Sequence, residues 1–277
     1  MIGVWRKIVV GKLSWKRLLM DFLLIPVLVY VALIVFAWLG SDGMIFQPQP
    51  ASYHATDDLI RLKTPDGLEL VALHLVNPTA RHTILYSHGN AEDMGDARDD
   101  LEALRDAGFS VFAYDYRGYG LSGGRPSTKG VKTDIETAYA YLTTELGVAP
   151  GTIIVYGRSV GGGPSVHLAA SHPVGGLVLQ STFTSAFVVM TRVPLVPFDK
   201  FDNLSRIREI DCPLLVIHGR LDRIIPFRHG ERLYERALSP KQHLWLDGIG
   251  HNQFPNACDP ACREALLELA ALVAGDS

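Results

Sequence analysis

The 277-residue sequence is poor in cysteine and carries no excess of positive charge. Its three cysteines, Cys212, Cys258 and Cys262, are too few for a scaffold of several disulfides or for a four-thiolate zinc site. With 26 Lys and Arg against 29 Asp and Glu, the formal charge is −3, so the basic face typical of nucleic-acid-binding proteins is lacking. The sequence also has no metal-ligand cluster, phosphate-binding glycine loop or dinucleotide fingerprint. We therefore expect no metal, no cofactor and no nucleic acid partner.

A long hydrophobic run without a charge lies near the N-terminus, from Phe22 to Leu39. Extended back through Leu18, it has about the 20 residues that a bilayer requires, more than a cleaved secretory peptide contains. A buried core helix is the alternative, but it would be unusually long. Five basic residues precede the run, and the first basic residue after it is Arg61. By the positive-inside rule we expect a single-pass membrane protein with a cytoplasmic N-terminus and an extracytoplasmic main part, periplasmic in a Gram-negative cell.

Short β-rich runs alternate with segments of helical periodicity after this span. The strand-like runs are 57–63, 68–76, 82–87, 110–115, 151–156, 175–180, 213–218 and 242–247. A turn sequence at residues 64–67 joins the first two runs and favours an antiparallel hairpin, whereas the later alternation of strands and helices favours parallel pairing. The sequence therefore predicts an α/β fold with a mostly parallel, doubly wound sheet that begins antiparallel.

The motif G-R-S-V-G occupies residues 157–161, between a strand-like run and a helical run. A serine on a sharp strand-to-helix turn needs glycines two positions away on either side, because side chains there would clash. The first N–H groups of the following helix can then stabilise negative charge beside the serine. This context predicts that Ser159 is a nucleophile rather than an ordinary turn serine.

Five short motifs together resemble the α/β-hydrolase superfamily. They are S-H-G-N-A at 87–91, D-Y-R-G-Y-G-L-S-G at 115–123, the serine motif at 157–161, H-G-R-L-D at 218–222 and G-H-N at 250–252. They look like the branch that contains membrane-associated α/β-hydrolase-domain proteins, among them protein depalmitoylases, and serine aminopeptidase-like hydrolases. The resemblance runs from about Asp57 to the C-terminus and implies an α/β-hydrolase fold. The depalmitoylases that attach to the cytoplasmic face use N-terminal cysteines, and no cysteine precedes Cys212 here, so cytosolic depalmitoylation is not expected.

A serine nucleophile needs a histidine to accept its proton and a carboxylate to fix the tautomer of that histidine. His251 lies in a glycine-bounded loop after the last predicted strand, and Asp222 follows the strand before it. The chain order Ser159, Asp222, His251 is the order found in α/β-hydrolases. Asp247, four residues before His251, is the competing acid. We predict a triad of Ser159, His251 and Asp222.

Two backbone N–H donors are needed to stabilise the oxyanion of acyl transfer. One is expected from Val160, directly after the nucleophile. The other is implied by the resemblance and lies in the loop after the strand 82–87, where Asn90 is the first choice and Ala91 the alternative. Tyr116 stands next to this loop in the resembling proteins and is expected to wall the site.

An apolar insertion at about residues 181–210 includes Phe183, Phe187 and Met190. It is expected either to form a small lid over a pocket for an acyl chain, which could also face the bilayer, or to complete the core. Further along the chain, Cys258 and Cys262 lie at the start of the last predicted helix, close enough for a local disulfide on the oxidising side of the membrane.

The sequence thus predicts a membrane-anchored serine hydrolase that cleaves carboxylic esters or thioesters of a small-molecule or lipid-like acyl substrate through an acyl-enzyme. A serine aminopeptidase or amidase, and a non-catalytic anchored binding domain, are the alternatives that the residues leave open. The predicted segments are a basic cytoplasmic segment at 1–17, a transmembrane signal-anchor helix at 18–40, a linker at 41–56 and the hydrolase domain at 57–277, with its lid at about 181–210.

Overall fold

The structure is a computed structural model that describes residues 15–254 and 259–275. The chain divides into two units, with the boundary between Ser41 and Asp42. Cys258, one of the two cysteines of the predicted local disulfide, lies outside the described residues.

The first unit contains the helix α1 (Trp15–Leu39), in which Pro26 lies within the hydrophobic stretch. Residues Leu19–Leu39 have a mean hydropathy of 2.8 and expose nearly all of their apolar side chains. By length and composition α1 can cross a membrane. It is therefore a candidate membrane anchor, close to the predicted bounds of 18–40.

A mixed sheet of eight strands forms the centre of the second unit in the part of the chain that the structure describes. The strands are β1 (Leu59–Lys63), β2 (Glu69–Leu75), β3 (Thr83–Ser87), β4 (Ser110–Tyr114), β5 (Ile153–Arg158), β6 (Gly176–Gln180), β7 (Leu214–Gly219) and β8 (Lys241–Leu246). Their spatial order is β1-β2-β4-β3-β5-β6-β7-β8. The pairs β1/β2 and β2/β4 are antiparallel, and the pairs from β4/β3 to β7/β8 are parallel. The predicted mostly parallel sheet with an antiparallel start is confirmed.

Helices cover the sheet on both faces. They are α2 (Asp42–Ile45), α3 (Arg98–Asp106), α4 (Thr128–Ala140), α5 (Gly162–Ala169), α6 (Ala186–Thr191), α7 (Asn203–Arg206), α8 (Arg228–Arg236) and α9 (Pro260–Ala274). Every residue of β3, β4, β6 and β7 is buried. Because successive side chains of a strand point to opposite faces, these strands must be covered from both sides. Because β3 to β8 run in the same direction, their carboxyl ends share one edge of the sheet, where ligand sites of such folds lie.

The start of α9 follows its sequence signals. Asp259 caps the helix, because its carboxylate accepts hydrogen bonds from the N–H groups of Ala261 and Cys262, and Pro260 occupies the first turn, where no N–H is required. The helix then packs Leu266 and Leu269 into the same apolar cluster as β3, β5 and β7.

The segment predicted as a linker at 41–56 differs in the structure from that expectation. It belongs to the second unit from Asp42 onward, and Ile45 and Phe46 are buried. The ring of Phe46 packs edge-on against that of Phe201, with centroids 6.3 Å apart. The folded unit thus begins at residue 42 rather than at residue 57, because a short polar stretch is attached to it by a few buried side chains and by hydrogen bonds.

Candidate active site

Ser159 lies on a sharp turn between β5 and α5. The turn is a single 3₁₀ turn, Ser159–Gly161, and Ser159 has a φ of +52°, in the left-handed region that residues with a side chain rarely adopt. Its side chain is buried at the base of a cavity. A backbone strained in this way persists only where the surrounding structure enforces it, and such residues cluster at functional sites.

The two glycines of the serine motif are required by close backbone approaches. A Cβ atom on Gly157 would lie 2.6 Å from the Gly161 carbonyl oxygen, and a Cβ atom on Gly161 would lie 2.2 Å from the Ser87 carbonyl oxygen. Both distances are far inside van der Waals contact. The structure therefore agrees with the sequence argument for glycine at these two positions.

Ser159, His251 and Asp222 form one hydrogen-bonded row. His251 Nε2 lies 3.0 Å from Ser159 Oγ, and His251 Nδ1 lies 2.7 Å from Asp222 Oδ2. Asp222 follows β7, and His251 lies in the loop that connects β8 to α9. Because the carboxylate can only accept, His251 carries a proton on Nδ1 and leaves Nε2 free to accept the serine proton. This is the arrangement that activates a serine hydroxyl.

The Asp222 carboxylate is held in its ionised form by several donors. The N–H groups of Ile224 and Ile225 donate to Oδ1 at 2.9 and 2.8 Å, and His218 Nε2 lies 3.5 Å from Oδ2 on the side away from solvent. Burial alone would raise the pKa of Asp222. The adjacent His218 imidazole and the hydrogen bond from His251 outweigh that effect and hold the pKa of Asp222 well below its usual value. Asp222 is thus an anion throughout the neutral range.

The competing acid, Asp247, lies elsewhere. Its side chain is 89% exposed and forms an ion pair with Arg220, at 3.0 Å between Oδ1 and Nε. Its carboxylate therefore serves a surface contact, and Asp222 is the acid that meets His251.

The loop after β3 approaches Ser159 from the other side. A Cβ atom on Gly89 would lie only 3.6 Å from the Cβ atom of Ser159, and the Gly89 N–H donates to Glu92 Oε1. Asn90 and Ala91 come next, and both line the cavity together with Val160. Asn90 and Val160, the two predicted oxyanion donors, thus line the same cavity as Ser159.

A cavity of about 340 Å³ opens above Ser159. Its apolar wall consists of Met44, Ile45, Phe183, Ala186, Val189, Met190, Ile224 and Ile225, and its polar wall includes Glu92, Arg158 and His251. The predicted lid segment contributes α6, which begins at its N-cap Ser185. The shape and the apolar lining suit the acyl part of a small or medium-sized substrate.

Two residues predicted to wall the pocket lie elsewhere. Tyr116 is buried behind the loop after β3, and its hydroxyl donates to the His88 carbonyl oxygen at 2.7 Å. Phe187 is a buried residue of α6 itself, and its ring packs against Phe198 with centroids 6.0 Å apart. Tyr116 therefore supports the loop from below and Phe187 supports α6, because their side chains point away from the cavity, whereas Phe183 and Met190 line it.

Sequence reasoning missed a partly buried ion-pair cluster beside the nucleophile. Arg158 Nη1 lies 3.1 Å from Glu92 Oε2 and 3.4 Å from Asp100 Oδ2. Burial raises the pKa of Glu92, and the neighbouring Arg158 partly offsets this. Arg158 occupies the first variable position of the serine motif, and Glu92 directly follows S-H-G-N-A. Because β3 and β5 are neighbouring parallel strands, their carboxyl ends lie side by side, and this pairing could have indicated that the two side chains meet.

No group of three His, Cys, Asp or Glu side chains placed to hold a metal ion occurs among residues 15–254 and 259–275.

Comparisons with known proteins find similarity to α/β-hydrolases. The family described as serine aminopeptidase, S33 (Hydrolase_4), matches residues 78–196, a segment that includes Ser159 and the loop after β3. The human alpha/beta hydrolase domain-containing protein 17B is 41% identical over 179 residues, which cover 64% of this chain and 62% of that protein. The match thus spans less than two thirds of this relative's length.

Solved structures of low sequence identity have the same architecture. The esterase Pf2001 of Pyrococcus furiosus superposes with a TM-score of 0.68 at 20% identity, over 80% of this chain and 97% of that chain. The mouse alpha/beta hydrolase domain-containing protein 10 superposes with a TM-score of 0.57 at 19% identity, over 80% and 100% of the two chains.

Proposed function

We propose that the chain, which has the α/β-hydrolase fold, is a member of that superfamily and a serine hydrolase that cleaves carboxylic esters or thioesters; its similarity to α/β-hydrolases supports this. The observation that carries the proposal is the position of His251, which bridges Ser159 Oγ and Asp222 Oδ2 at hydrogen-bond distances. The apolar cavity above Ser159 supports an acyl substrate, either a small molecule or a lipid-like chain.

In the acylation step, Ser159 Oγ attacks the carbonyl carbon of the substrate. A bond forms between Oγ and carbon while His251 Nε2 takes the hydroxyl proton, and Asp222 stabilises the resulting imidazolium. The carbonyl oxygen becomes an oxyanion, which receives hydrogen bonds from the N–H groups of Val160 and Asn90. The bond to the leaving group then breaks, and His251 returns the proton to the departing alkoxide or thiolate.

In the deacylation step, water attacks the carbonyl carbon of the acyl-enzyme. His251 Nε2 takes a proton from the water, the same two N–H groups hold the oxyanion, and the bond to Ser159 Oγ breaks. Ser159 recovers its proton from His251, and the carboxylic acid leaves.

Labelling with a fluorophosphonate tests the nucleophile. We expect the full chain to be labelled, and Ser159→Ala to abolish labelling and hydrolysis. Ser165→Ala is the matched control, because Ser165 is a second buried serine close to the same turn, where it contacts Gly157 rather than His251. Equal labelling of the wild type and Ser159→Ala would refute the assignment.

A substrate panel separates the reaction classes. We expect hydrolysis of p-nitrophenyl esters and acyl thioesters above the Ser159→Ala background. Hydrolysis of amino-acid amides without hydrolysis of esters would favour an aminopeptidase or amidase, and no turnover of any member would favour an anchored binding domain.

We further propose that α1 anchors the chain in a membrane with the N-terminus in the cytoplasm and the hydrolase unit on the other side. The support is the hydrophobic length of Leu19–Leu39 and the five basic residues that precede it in the sequence. Protease added to intact spheroplasts should digest the hydrolase unit if this topology holds. Digestion only after lysis would show the opposite orientation, with the hydrolase unit in the cytoplasm.

A further inference from the structure

The segment Asp42–Tyr53, called the strap below, lies against the active-site loops. It begins three residues after the end of α1 in the sequence and belongs to the same compact unit as the sheet. Its first turn is the short helix α2, and its buried members include Ile45 and Phe46. The polar, proline-bearing composition of this stretch is typical of a flexible linker. Its ordered contacts with the loop that contains Asn90 are therefore unexpected.

The strap clamps the side chain of Asn90. Asn90 Oδ1 accepts hydrogen bonds from the Gln47 N–H at 2.9 Å and from the Tyr119 hydroxyl at 2.7 Å. Asn90 Nδ2 donates to the Ile45 carbonyl oxygen at 2.9 Å. The Gln47 N–H also donates to the Tyr119 hydroxyl oxygen at 3.0 Å. One asparagine thus joins the loop after β3 to two backbone groups of the strap.

The chemistry of these partners fixes the orientation of the Asn90 amide. A backbone N–H can only donate and a backbone carbonyl can only accept, so Oδ1 must face Gln47 and Nδ2 must face Ile45. The side chain is therefore occupied by the strap, and only the backbone of Asn90 remains to serve the oxyanion. The next residue, Ala91, has a φ of +55°, a conformation that costs about 1 kcal/mol or more and needs support from its surroundings.

Both ends of the strap are tied down. At the start, Asp42 Oδ1 accepts from the Thr128 hydroxyl at 2.6 Å. At the end, the Ser52 N–H donates to Asp93 Oδ2 at 2.8 Å, and the Tyr53 hydroxyl donates to the buried Asp115 carboxylate. These bonds connect the strap to the start of α4 and to the loops after β3 and β4, which explains how a segment with little buried apolar area keeps a defined position.

The strap also supplies part of the cavity wall. Met44 and Ile45 line the space above Ser159, and Met44 remains 47% exposed at its rim. Behind them, Phe46 packs on Phe201, which in turn packs on the cavity residue Phe183 with ring centroids 6.3 Å apart. The acyl cavity is therefore bounded by the strap on one side and by the lid segment on another.

We propose that the strap is part of the active site: the Asn90 side chain, held by Ile45 and Gln47, positions the Asn90 N–H, and Met44 limits the acyl chain that the cavity accepts. This inference rests on the proposed hydrolase function. Loosening the Asn90 clamp should displace an oxyanion donor, which lowers kcat more than it changes KM, because the donor acts mainly on the transition state. Shortening Met44 should instead change which acyl chain is preferred.

The test uses the full chain in detergent with p-nitrophenyl acetate, butyrate, octanoate and palmitate. Tyr119→Phe removes the hydroxyl that bonds Asn90, and Asn90→Ala removes the whole clamp while keeping the backbone N–H. We expect kcat to fall about tenfold for Tyr119→Phe and about a hundredfold for Asn90→Ala, with KM within about threefold of wild type. Tyr139→Phe is the matched control, since the Tyr139 hydroxyl bonds a backbone carbonyl outside the active site, that of Pro173.

Met44→Ala should shift the preferred ester toward longer chains, whereas Leu238→Ala, which shortens an exposed apolar residue outside the cavity wall, should leave the preference unchanged.

Fluorophosphonate labelling of the wild type reports the hydrolase function independently of the strap. In a labelled enzyme, kcat values equal to wild type for both clamp variants, or an unchanged chain preference for Met44→Ala, would overturn the role of the strap. A wild type that is neither labelled nor active would overturn the hydrolase function and this inference with it.

Discussion

At the residue scale, the two oxygens of Asp222 have separate partners. Oδ1 accepts from two backbone N–H groups, and Oδ2 faces the imidazoles of His251 and His218. The loop thereby fixes both the position of the carboxylate and the direction in which each oxygen points. His218 also donates from Nε2 to the Ile225 carbonyl oxygen at 2.9 Å, so it braces the same loop from inside the sheet.

Asp222→Asn should inactivate the enzyme without unfolding it. The backbone N–H groups of Ile224 and Ile225 select the amide oxygen, so the new NH₂ group must face His251 Nδ1. His251 then carries its proton on Nε2 and cannot accept the proton of Ser159. We expect kcat to fall about 10³- to 10⁴-fold with a melting temperature near that of wild type.

The control for this substitution is Asp247→Asn, which changes the exposed acid nearest to His251 in the sequence. Because Asp247 bonds Arg220 at the surface, its loss should leave kcat within about twofold of wild type. Hydrolysis assays and melting curves of the two variants check the prediction. Comparable losses of kcat in both would mean that Asp222 is not the acid of the triad.

At the scale of elements, the strands were predictable because the apolar runs are short, continuous and bounded by turn residues. Every predicted run overlaps an observed strand, and no predicted end differs from the observed one by more than two residues. Motif context and chain order likewise selected Ser159, Asp222 and His251, which the structure brings together. These features depend on patterns of neighbouring residues, so one amino-acid sequence is sufficient to predict them.

The features that sequence reasoning missed depend on contacts between distant segments. Helix α8 (Arg228–Arg236) buries His229, Gly230 and Leu233, so Leu233 is the one large apolar side chain among the buried residues of this helix. It packs so closely on β7 that a Cβ atom on Gly230 would lie 2.6 Å from His218 Nδ1. The sequence predicts a linker where the strap lies, because the attachments of the strap are hydrogen bonds to residues more than forty positions away in the chain. No local pattern carries such information.

The turn between β5 and α5 depends on the absence of a side chain at Gly161. Gly161→Ala places a Cβ atom 2.2 Å from the Ser87 carbonyl oxygen, so either the strand end or the serine turn must move. We expect a loss of about 2–3 kcal/mol in the free energy of unfolding and a loss of fluorophosphonate labelling. Gly151→Ala is the control, because nothing lies within 4 Å of the added Cβ atom there. Chemical denaturation of both variants measures the difference, and equal stabilities would show that the turn is not held in this geometry.

At the scale of the whole molecule, the hydrolase unit contains buried histidines that resist protonation. Burial lowers the pKa of His88 to about 4, and burial together with the nearby Arg228 lowers the pKa of His229 to about 4. In the unfolded chain both imidazoles would titrate near their ordinary value of about 6.5. Between about pH 4 and pH 6.5, each of these imidazoles therefore binds a proton in the unfolded chain but not in the folded one.

His229 offers a test of this coupling away from the catalytic row. Its Nδ1 accepts from the Thr184 N–H and lies 2.9 Å from the Thr184 hydroxyl, so a neutral ring suits the folded state. As the pH falls from about 6.5 to about 4, His229 therefore removes up to about 1.4 kcal/mol of stability per pH unit, because protons bind preferentially to the unfolded chain. Above that range its contribution is constant.

His229→Gln should flatten the pH dependence of stability. The glutamine amide can still accept a hydrogen bond from Thr184 but has no proton to gain, so its free energy of unfolding should decline less steeply than that of the wild type over this range. Denaturant titrations of the full chain in detergent at several pH values between about 4 and 8 give the two curves. Curves that diverge below about pH 6.5 and run parallel above it support the burial of a neutral His229, whereas curves that stay parallel throughout would show that the folded state accepts the proton as readily as the unfolded chain.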